Sequence, residues 1–354
     1  MILIAYGTRP EIIKLFPVIR ELQRAGMPFK TLFTGQQMDL YRDVQALVPS
    51  PDYAFTQHFS GVKKHNTLAN TFVKVCSAAA EFFESQHFDF VIVQGDTTTA
   101  WAIAQIGFYS RVRVAHVEAG LRTFDLKNPF PEEANRAAIS QVADINFAPT
   151  WRAQENLEQV GARNIHLVGN TVVDAVAIIK KEHGLVGKPV SNTVLVTLHR
   201  RENHEIMGEL FDELNRVALR YPGFELVLPI HPNPNVRKHR GRFTASNVKV
   251  IDPLGYIDML RLLASSSFII TDSGGLQEEA SCFNKKILIV RETTERPEIL
   301  DCGLGRLVGK DILANIEWAE TPPIETVASP FGDGRASERI VAALSGIKNN
   351  SAKK

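Results

Sequence analysis

Short runs of consecutive apolar residues alternate with longer segments of helical periodicity in the first half of the chain. The runs cover residues 1–7, 29–35, 88–96 and 112–118. After the first run, one face of a helix is formed by Ile12, Leu15, Phe16, Ile19 and Leu22. Similar spacing predicts helices at about 66–85 and 98–109. Unbroken apolar runs are typical of strands that are buried on both faces of a parallel sheet.

The same alternation starts again in the second half. Five further apolar runs cover residues 192–200, 224–231, 248–252, 267–271 and 285–290. Predicted helices separate them at about 205–220, 256–265 and 275–282. Because strand and helix alternate in both series, we predict an α/β protein with two domains, each built on a parallel, doubly wound sheet.

The length of the chain agrees with two domains, since 354 residues are too many for one ordinary core. We place the first domain at residues 1–169 and the second at 170–330. Ligands of such sheets bind beyond the carboxyl ends of the strands. We therefore expect the active site in the cleft between the domains, formed by residues that directly follow the strands.

The first helix start carries more positive charge than its own geometry needs. Thr8 and Glu11 have the spacing of a capping box, which by itself explains a well-formed start. Arg9, however, adds a cation to the positive end of the helix dipole, and Lys14 follows closely. A bound anion would resolve this conflict, so Arg9 and Lys14 are predicted to bind phosphate.

Carboxylates follow the next strands of the first domain. Asp96 comes after the third apolar run, Glu118 ends the fourth, and Glu132 opens a further helix. Asp96 and Glu132 each have a simpler explanation as residues of a helix N-terminus. Three carboxylates at one edge of a sheet, however, are well suited to carry protons.

The second domain contributes donors where the first contributes acids. His199 and Arg200 follow its first strand, and His231 follows its second. His199 is a candidate for phosphate binding or proton transfer. His231, next to a proline, is equally well explained as a packed structural histidine.

The segment TDSGGLQEEA, residues 271–280, has the pattern of a strand, a tight turn and a helix N-terminus. Backbone N–H groups of Ser273, Gly274 and Gly275 are predicted to hold a phosphate there. Glu279, one turn further, is placed to accept hydrogen bonds from ribose hydroxyls. A nucleotide diphosphate held by the second domain would present its sugar to the carboxylates of the first.

The composition of the chain limits the classes of binding partner and cofactor that we expect. The formal net charge is +1, which gives no electrostatic reason to expect nucleic acid or membrane. Three widely spaced cysteines, Cys76, Cys282 and Cys302, suggest reduced thiols in a cytoplasmic protein. No signal peptide, membrane-spanning run or nicotinamide-binding GxGxxG motif is visible. Neither an Asp-x-Asp pair nor a tight His/Cys cluster suggests a metal.

Nine segments together resemble the non-hydrolysing UDP-N-acetylglucosamine 2-epimerases. They are GTRPEIIK (7–14), GDTTTAWA (95–102), HVEAGLRT (116–123), PEEANR (131–136), GNTVVDA (169–175), HRREN (199–203), TDSGGLQEEA (271–280), TTERPE (293–298) and GDGRASERI (332–340). They follow one another in order over nearly the whole chain. Each segment is weak alone, and the set is specific.

This resemblance implies a fold, an activity and roles for residues. It implies two Rossmann-like domains of the glycosyltransferase-B type, with a last helix at about 335–348 that packs back on the first domain. It implies a homodimer that needs no cofactor and interconverts UDP-GlcNAc and UDP-ManNAc for polysaccharide precursors. The implied catalytic residues are Asp96, Glu118, Glu132 and His199. The implied contacts to UDP-sugar are Arg9, Lys14, Arg200, His231, Ser273, Gly274, Gly275 and Glu279.

Other activities stay open at this point. A hydrolysing epimerase would release ManNAc and UDP, and a related enzyme would act on another UDP-2-acetamido sugar. A glycosyltransferase of the same fold would need an acceptor and only one base. A non-catalytic nucleotide-sugar sensor would be expected to lack part of the carboxylate set.

The chain departs from the resembling family where many of its members bind UDP-GlcNAc as an activator. Those members usually have Gln-His-Arg-x-Met with a polar x, where this chain has Gln36-Gln37-Met38-Asp39. An arginine before a Thr-Leu pair is replaced by His65. Because an acid in place of a neutral group repels a diphosphate, we expect activation by substrate to be weak or lost. The alternative is that nearby Lys63 or Lys64 supplies the missing positive charge.

Overall fold

The computed structural model describes residues 1–37, 41, 43–58, 67–185, 192–323 and 327–351. The chain divides into two compact units. The first unit contains Met1–Ala175 and Phe331–Lys354, and the second contains Val176–Pro330. The search for membrane spans covered the described ranges, and none of their helices is long and apolar enough to cross a bilayer.

The first unit is built on a sheet of seven parallel strands in the order β3-β2-β1-β4-β5-β6-β7. The strands are β1 (Ile2–Tyr6), β2 (Phe29–Phe33), β3 (Tyr53–Ala54), β4 (Phe90–Gln94), β5 (Arg113–Val117), β6 (Ile145–Ala148) and β7 (Ile165–Leu167). The helices between and after them are α1 (Arg9–Arg24), α2 (Leu68–Ser85), α3 (Thr98–Tyr109), α4 (Glu132–Val142), α5 (Trp151–Gln159) and α6 (Thr171–His183).

The second unit repeats the plan with six parallel strands in the order β10-β9-β8-β11-β12-β13. The strands are β8 (Thr193–Thr197), β9 (Glu225–Pro229), β10 (Val248–Ile251), β11 (Ile269–Thr271), β12 (Ile287–Ile289) and β13 (Gly305–Leu307). The helices are α7 (Met207–Arg220), α8 (Pro234–Arg237), α9 (Tyr256–Ser265), α10 (Gly274–Ser281), α11 (Glu298–Asp301) and α12 (Ile316–Glu320). Short 3₁₀ segments are Gln45–Leu47, Thr56–His58, Arg201–Asn203, Arg240–Arg242 and Leu313–Asn315.

The last helix, α13 (Ala336–Ser351), belongs to the first unit and packs against α1. Asp174, on α6, anchors its start by accepting hydrogen bonds from the backbone N–H groups of Ala336 at 3.1 Å and Ser337 at 2.8 Å. The limit between the units falls within α6, at 175/176. The sequence prediction placed the domain limit at 169/170.

The predicted α/β class with two parallel sheets is confirmed, and every apolar run named above forms a strand. Four strands were not predicted: β3, β6, β7 and β13. They have only two to four residues and lie at or next to sheet edges. Edge strands need less apolar surface, and β6 and β13 also contain Asn146 and Gly305, so their patterns are weak.

In both sheets the strand order reverses at the first strand, which lies between the second and the fourth. This reversal is the topological switch point, where loops leave in opposite directions and open a crevice for a ligand. In the first unit the switch point lies between β1 and β4, and in the second between β8 and β11. The predicted site residues that follow these four strands therefore lie beside a switch point.

Candidate active site

Glu11 connects the loops that follow β1 and β4, at the first switch point, through hydrogen bonds. Its Oε2 accepts hydrogen bonds from the backbone N–H groups of Gly7 at 2.9 Å and Thr8 at 2.7 Å. Its Oε1 accepts one from the Thr97 hydroxyl at 2.7 Å, in the loop after β4. Burial raises the pKa of this carboxyl, whereas the same hydrogen bonds lower it. The predicted capping box is present, and Glu11 is a structural residue of the site.

Arg9 begins α1 and is partly buried. Its backbone N–H donates to Oε1 of Gln37 at 3.3 Å, and its guanidinium lies 3.9 Å from Asp43. A long, partly exposed ion pair of this kind contributes little. The phosphate role of Arg9 stays a prediction. Of the residues in the activator hypothesis, Met38, Asp39 and His65 lie outside the described ranges, so that hypothesis also stays a prediction.

Lys14 lies against Glu118. Its Nζ is 2.5 Å from Oε2 of Glu118, and the two side chains are 8% and 6% exposed. The sequence analysis assigned Lys14 to phosphate and did not predict this ion pair. An ammonium group has three N–H donors, so the contact with Glu118 leaves the phosphate assignment untested.

Glu118 follows β5 in a conformation that is rare for residues with a side chain. Its φ is 64°, and a left-handed conformation costs a non-glycine residue about 1 kcal/mol. Nε2 of Gln94, the last residue of β4, donates to Oε2 of Glu118 at 2.7 Å. Backbone strain of this kind is common at functional sites.

Asp96 is held by α4. Its carboxylate forms an ion pair with Nη2 of Arg136, and its carbonyl oxygen accepts a hydrogen bond from Nδ2 of Asn135 at 2.7 Å. The Asp96 side chain is 25% exposed, whereas that of Arg136 is 5% exposed. The buried guanidinium therefore fixes a carboxylate that solvent or a ligand can reach.

His116 supports the loop that carries Asp96. It is buried on β5, and its Nε2 lies 2.7 Å from the carbonyl oxygen of Gly95. Because a carbonyl accepts, Nε2 carries the proton in this bond. Burial lowers the pKa of His116 to about 4, so the imidazole is neutral near pH 7.

Two adjacent acids begin α4, and the structure gives them different roles. Glu133 is fully buried; it forms an ion pair with Arg122 at 2.7 Å and accepts hydrogen bonds from the backbone N–H groups of Thr123 and Phe124, both at 3.0 Å. It therefore holds the preceding loop. Glu132 is only partly buried, and its catalytic role stays a prediction.

Asp272 organises the switch point of the second unit, and the sequence analysis gave it no role. It is fully buried directly after β11. Its Oδ2 accepts hydrogen bonds from the backbone N–H groups of His199 at 3.0 Å and Arg200 at 2.9 Å, and from Nδ2 of Asn203 at 3.0 Å. Its Oδ1 lies 3.5 Å from Nδ1 of His199. The only signal in the sequence was an acid at the end of a buried strand.

His199 and His231 lie together. Their rings stack with centroids 5.2 Å apart. Burial lowers the pKa of both, for His231 to about 4, and Asp272 opposes this shift in each case. Nδ1 of His231 accepts a hydrogen bond from the backbone N–H of Asn233 at 3.2 Å, so the neutral ring carries its proton on Nε2. His231 is therefore oriented as a donor beside His199.

The predicted phosphate loop has the expected form. Ser273 precedes α10 in an extended conformation, Gly274 is its first residue, and Glu279 lies buried on the same helix. A Cβ at Gly274 would lie 2.5 Å from Nη1 of Arg296, whereas a Cβ at Gly275 would meet nothing within 4 Å in the described chain. Packing within the chain explains the glycine at 274. The open space at 275 is suited to the close approach of a ligand.

A buried ionic network supports this loop. Glu295 accepts from Nη1 of Arg291 at 2.8 Å and from Nη1 of Arg296 at 2.5 Å, and it lies 3.7 Å from Nη2 of Arg200. Glu278, on α10, accepts from Nε of Arg296 at 2.5 Å. The arginines hold the pKa of Glu295 well below its usual range against the effect of burial. This network connects α10 to the segments after β8 and β12.

The structure therefore groups the predicted residues by unit. Asp96, Glu118, Glu132, Arg9 and Lys14 lie at the carboxyl edge of the first sheet, and the others lie at that of the second. Within the described ranges, no group of three His, Cys, Asp or Glu side chains could hold a metal ion. Chemically, the carboxylates of the first group can transfer protons, whereas the histidines, Arg200 and the helix amides of the second can hold an anion.

Comparison with known proteins finds relatives over nearly the whole chain. A family described as UDP-N-acetylglucosamine 2-epimerase matches residues 20–345. The UDP-N-acetylglucosamine 2-epimerase of Campylobacter jejuni is 37% identical over 380 residues, which cover 99% of this chain and 98% of that protein.

Two solved structures are similar over almost their entire length. The UDP-GlcNAc 2-epimerase of Neisseria meningitidis bound to UDP-GlcNAc has a TM-score of 0.87 at 34% identity, with 98% of this chain and 99% of that chain covered. The enzyme of Methanocaldococcus jannaschii in complex with UDP-GlcNAc and UDP has a TM-score of 0.84 at 32% identity, with 97% and 99% covered.

Proposed function

Since this chain belongs to the UDP-N-acetylglucosamine 2-epimerase family and is an isomerase of that class, we propose that it interconverts UDP-GlcNAc and UDP-ManNAc without net hydrolysis. The observation that carries the proposal is the pair of ion-paired carboxylates, Asp96 with Arg136 and Glu118 with Lys14, at the switch point of the first sheet.

Chemistry explains why such an enzyme must first release UDP. The proton on C2 of the sugar is scarcely acidic, because no carbonyl group lies next to C2. Departure of UDP from C1 leaves an oxocarbenium-like centre, which makes this proton removable. Re-addition of UDP, with a proton delivered to the opposite face, inverts C2.

Donors of the second unit stabilise the departing diphosphate in this proposal. The backbone N–H groups of Gly274 and Gly275 lie at the N-terminus of α10, where the helix dipole favours an anion. The N–H of Ser273 instead donates to the Thr271 hydroxyl at 2.9 Å. His199 and Arg200 have their backbone oriented by Asp272. Charge that develops on the leaving oxygen is stabilised by such preorganised donors. Arg9 and Lys14 add positive charge from the first unit.

Carboxylates of the first unit move the protons in this proposal. A carboxylate accepts the C2 proton from one face, and a second group in its acid form donates a proton to the other face, so the reaction needs at least two such groups. Asp96, Glu118 and Glu132 are the residues assigned to these steps.

Incubation with UDP-GlcNAc in D2O tests the proposal directly. Proton transfer through exchangeable carboxyl groups places deuterium at C2 of the recovered UDP-GlcNAc and UDP-ManNAc, as NMR would detect. Turned-over product that retains hydrogen at C2 would contradict the mechanism. Release of free ManNAc with UDP would identify a hydrolysing epimerase, and transfer only in the presence of an acceptor would identify a glycosyltransferase.

We also propose that the enzyme needs no metal or nicotinamide, since arginine, lysine, histidine and helix amides can neutralise the diphosphate. Activity should persist in EDTA. By resemblance to its family, we further propose a cytoplasmic homodimer that supplies precursors for cell-surface polysaccharide. Light scattering during gel filtration would measure the dimer mass.

A further inference from the structure

Gln94 is a buried polar residue with no role so far. It ends β4, is 3% exposed and follows a run of buried apolar residues. Its Nε2 donates to Oε2 of Glu118 at 2.7 Å. Buried amides need partners, so satisfying a core glutamine would be the simplest explanation of this bond. Two further observations are not explained by the need to give a buried amide a hydrogen-bond partner.

First, two donors converge on one oxygen of Glu118. Nζ of Lys14 lies 2.5 Å from the same Oε2 and comes from α1, a different element from that of Gln94. A neutral acceptor would satisfy a glutamine. A cation and an amide on one carboxylate oxygen instead stabilise the ionised form.

Second, the backbone turns to bring Glu118 to Gln94. Gln94 is paired with Val117 in the β4–β5 register, and the N–H of Gly95 donates to the carbonyl of Val117 at 2.9 Å. Glu118 then has a φ of 64°, which glycine adopts far more readily. A strained glutamate here is best explained by a need for its carboxylate.

On the basis of the proposed function, we propose that Gln94 is a positioning residue for Glu118. Together with Lys14 it keeps Glu118 ionised and aimed at C2. The C2–H bond then breaks, its proton passes to the carboxylate, and its electron pair forms the C1–C2 double bond. By then the C1–O bond has broken and its electrons have left with UDP, so the electron pair of the C2–H bond neutralises the oxocarbenium-like centre at C1.

Other titratable groups at this edge of the sheet set the electrostatic surroundings of Glu118. Asp96 is paired with Arg136, His116 is neutral near pH 7 because its pKa is lowered to about 4, and Glu11 is enclosed by hydrogen bonds on α1. Arg9 and Glu132 begin α1 and α4, respectively. Lys14 is a cation in direct contact with Glu118.

The test is the pH dependence of kcat/KM in Gln94→Met, which keeps the length of the side chain and removes the donor. The acidic limb should move up by about one pH unit, with about a tenfold loss of kcat/KM below the limb and little loss at alkaline pH. Gln94→Glu, which adds a second negative charge, should move the limb further.

Asn146→Leu is the matched control, because Asn146 is a buried amide on β6 that donates to the carbonyl of Arg163 at 3.0 Å. The acidic limb of the kcat/KM profile of Asn146→Leu should stay at the wild-type pH even if this variant is less stable.

Lys14→Gln provides a second variant that does not depend on the folding of the Gln94 variants. It should move the limb in the same direction, and the double variant should show non-additive shifts because both donors serve one oxygen. An unmoved limb in folded Gln94→Met, or in Lys14→Gln if Gln94→Met does not fold, would overturn the proposal. A purely structural role would lower stability and leave the limb unchanged.

The wild type separates this proposal from the one on which it rests. A wild-type protein that places no deuterium at C2 overturns both proposals. A wild type that epimerises, with variants whose acidic limb does not move, overturns only the role of Gln94.

Discussion

Asp96 and Asp272 follow corresponding strands of the two sheets, β4 and β11, yet they are in opposite surroundings. Asp96 is 25% exposed and paired with Arg136. Asp272 is fully buried and accepts hydrogen bonds from the backbone of the β8 loop. The same type of residue at the same place in the topology is therefore a candidate for proton transfer in one unit and an organiser of donors in the other.

The residues that follow the next pair of corresponding strands, β5 and β12, differ in the same way. After β5 the first unit has Glu118, paired with Lys14, whereas after β12 the second unit has Arg291, paired with Glu202 and Glu295. Asp96 and Glu118 of the first unit are held by buried cations. Asp272 and Glu295 of the second unit instead hold backbone amides and arginines in place. Burial and partners decide the chemistry of each residue, since the two sheets share one strand order.

The largest expected effect is on turnover in the first unit. Asp96→Asn, Glu118→Gln and Glu132→Gln should each lower kcat by about a hundredfold or more, the usual effect of losing a general acid or base. UDP affinity, measured by calorimetry, should change little. Asp125→Asn, in the exposed loop before α4, is the control and should keep wild-type activity. Near-normal turnover in any of the three would remove that residue from the mechanism.

Asp272→Asn should act on the other unit and in another way. The amide cannot replace both charged oxygens, so the free energy of unfolding should fall by about 2 kcal/mol or more. UDP affinity should fall by about tenfold, because the His199 and Arg200 loop loses its anchor. Asp212→Asn, which breaks an exposed ion pair with Arg242, should change neither quantity appreciably. Wild-type stability and UDP affinity in Asp272→Asn would invalidate the comparison.

Two histidines should make stability depend on pH. Burial lowers the pKa of His116 from 6.5 to about 4, so between these values the unfolded chain binds more protons. The contribution of neutral His116 to the free energy of unfolding is complete above pH 6.5. This contribution, up to about 3 kcal/mol, is lost as the pH falls towards 4. Urea unfolding of His116→Gln should therefore show a flatter pH dependence in this window. His231→Gln should flatten it less, because partly exposed His231 is screened by solvent. Equal slopes in His116→Gln and wild type would count against this assignment.

The smallest effects concern the two glycines of the phosphate loop. Gly274→Ala places a Cβ against Arg296 and should destabilise the second unit by about 1 kcal/mol or more. Gly275→Ala meets open space and should leave stability unchanged or slightly higher, while UDP affinity falls by about tenfold. Calorimetry and urea unfolding would separate the two. A Gly275→Ala protein with normal UDP affinity would show that no ligand approaches there.

Much of the candidate site followed from the positions of residues after predicted strands. The end of β4 located Asp96, and the end of β11 located Ser273–Gly275. The sequence alone did not assign a role to Asp272, because a buried acid and an exposed one look alike in a sequence. It also could not separate Glu132 from Glu133 by their contacts, since both suit the first turn of a helix and only their neighbours differ.

The sequence by itself determined the two series of buried strands, the capped start of α1 and the glycine-rich start of α10, because these depend on local periodicity and local turn chemistry. Only the tertiary structure decided that Lys14 contacts Glu118, separated by 104 positions, that Gln94 shares this carboxylate, and that Arg296 lies under Gly274. Such contacts depend on which strands are neighbours and on where the backbone turns at their ends. Neither property is local to any one segment of the chain.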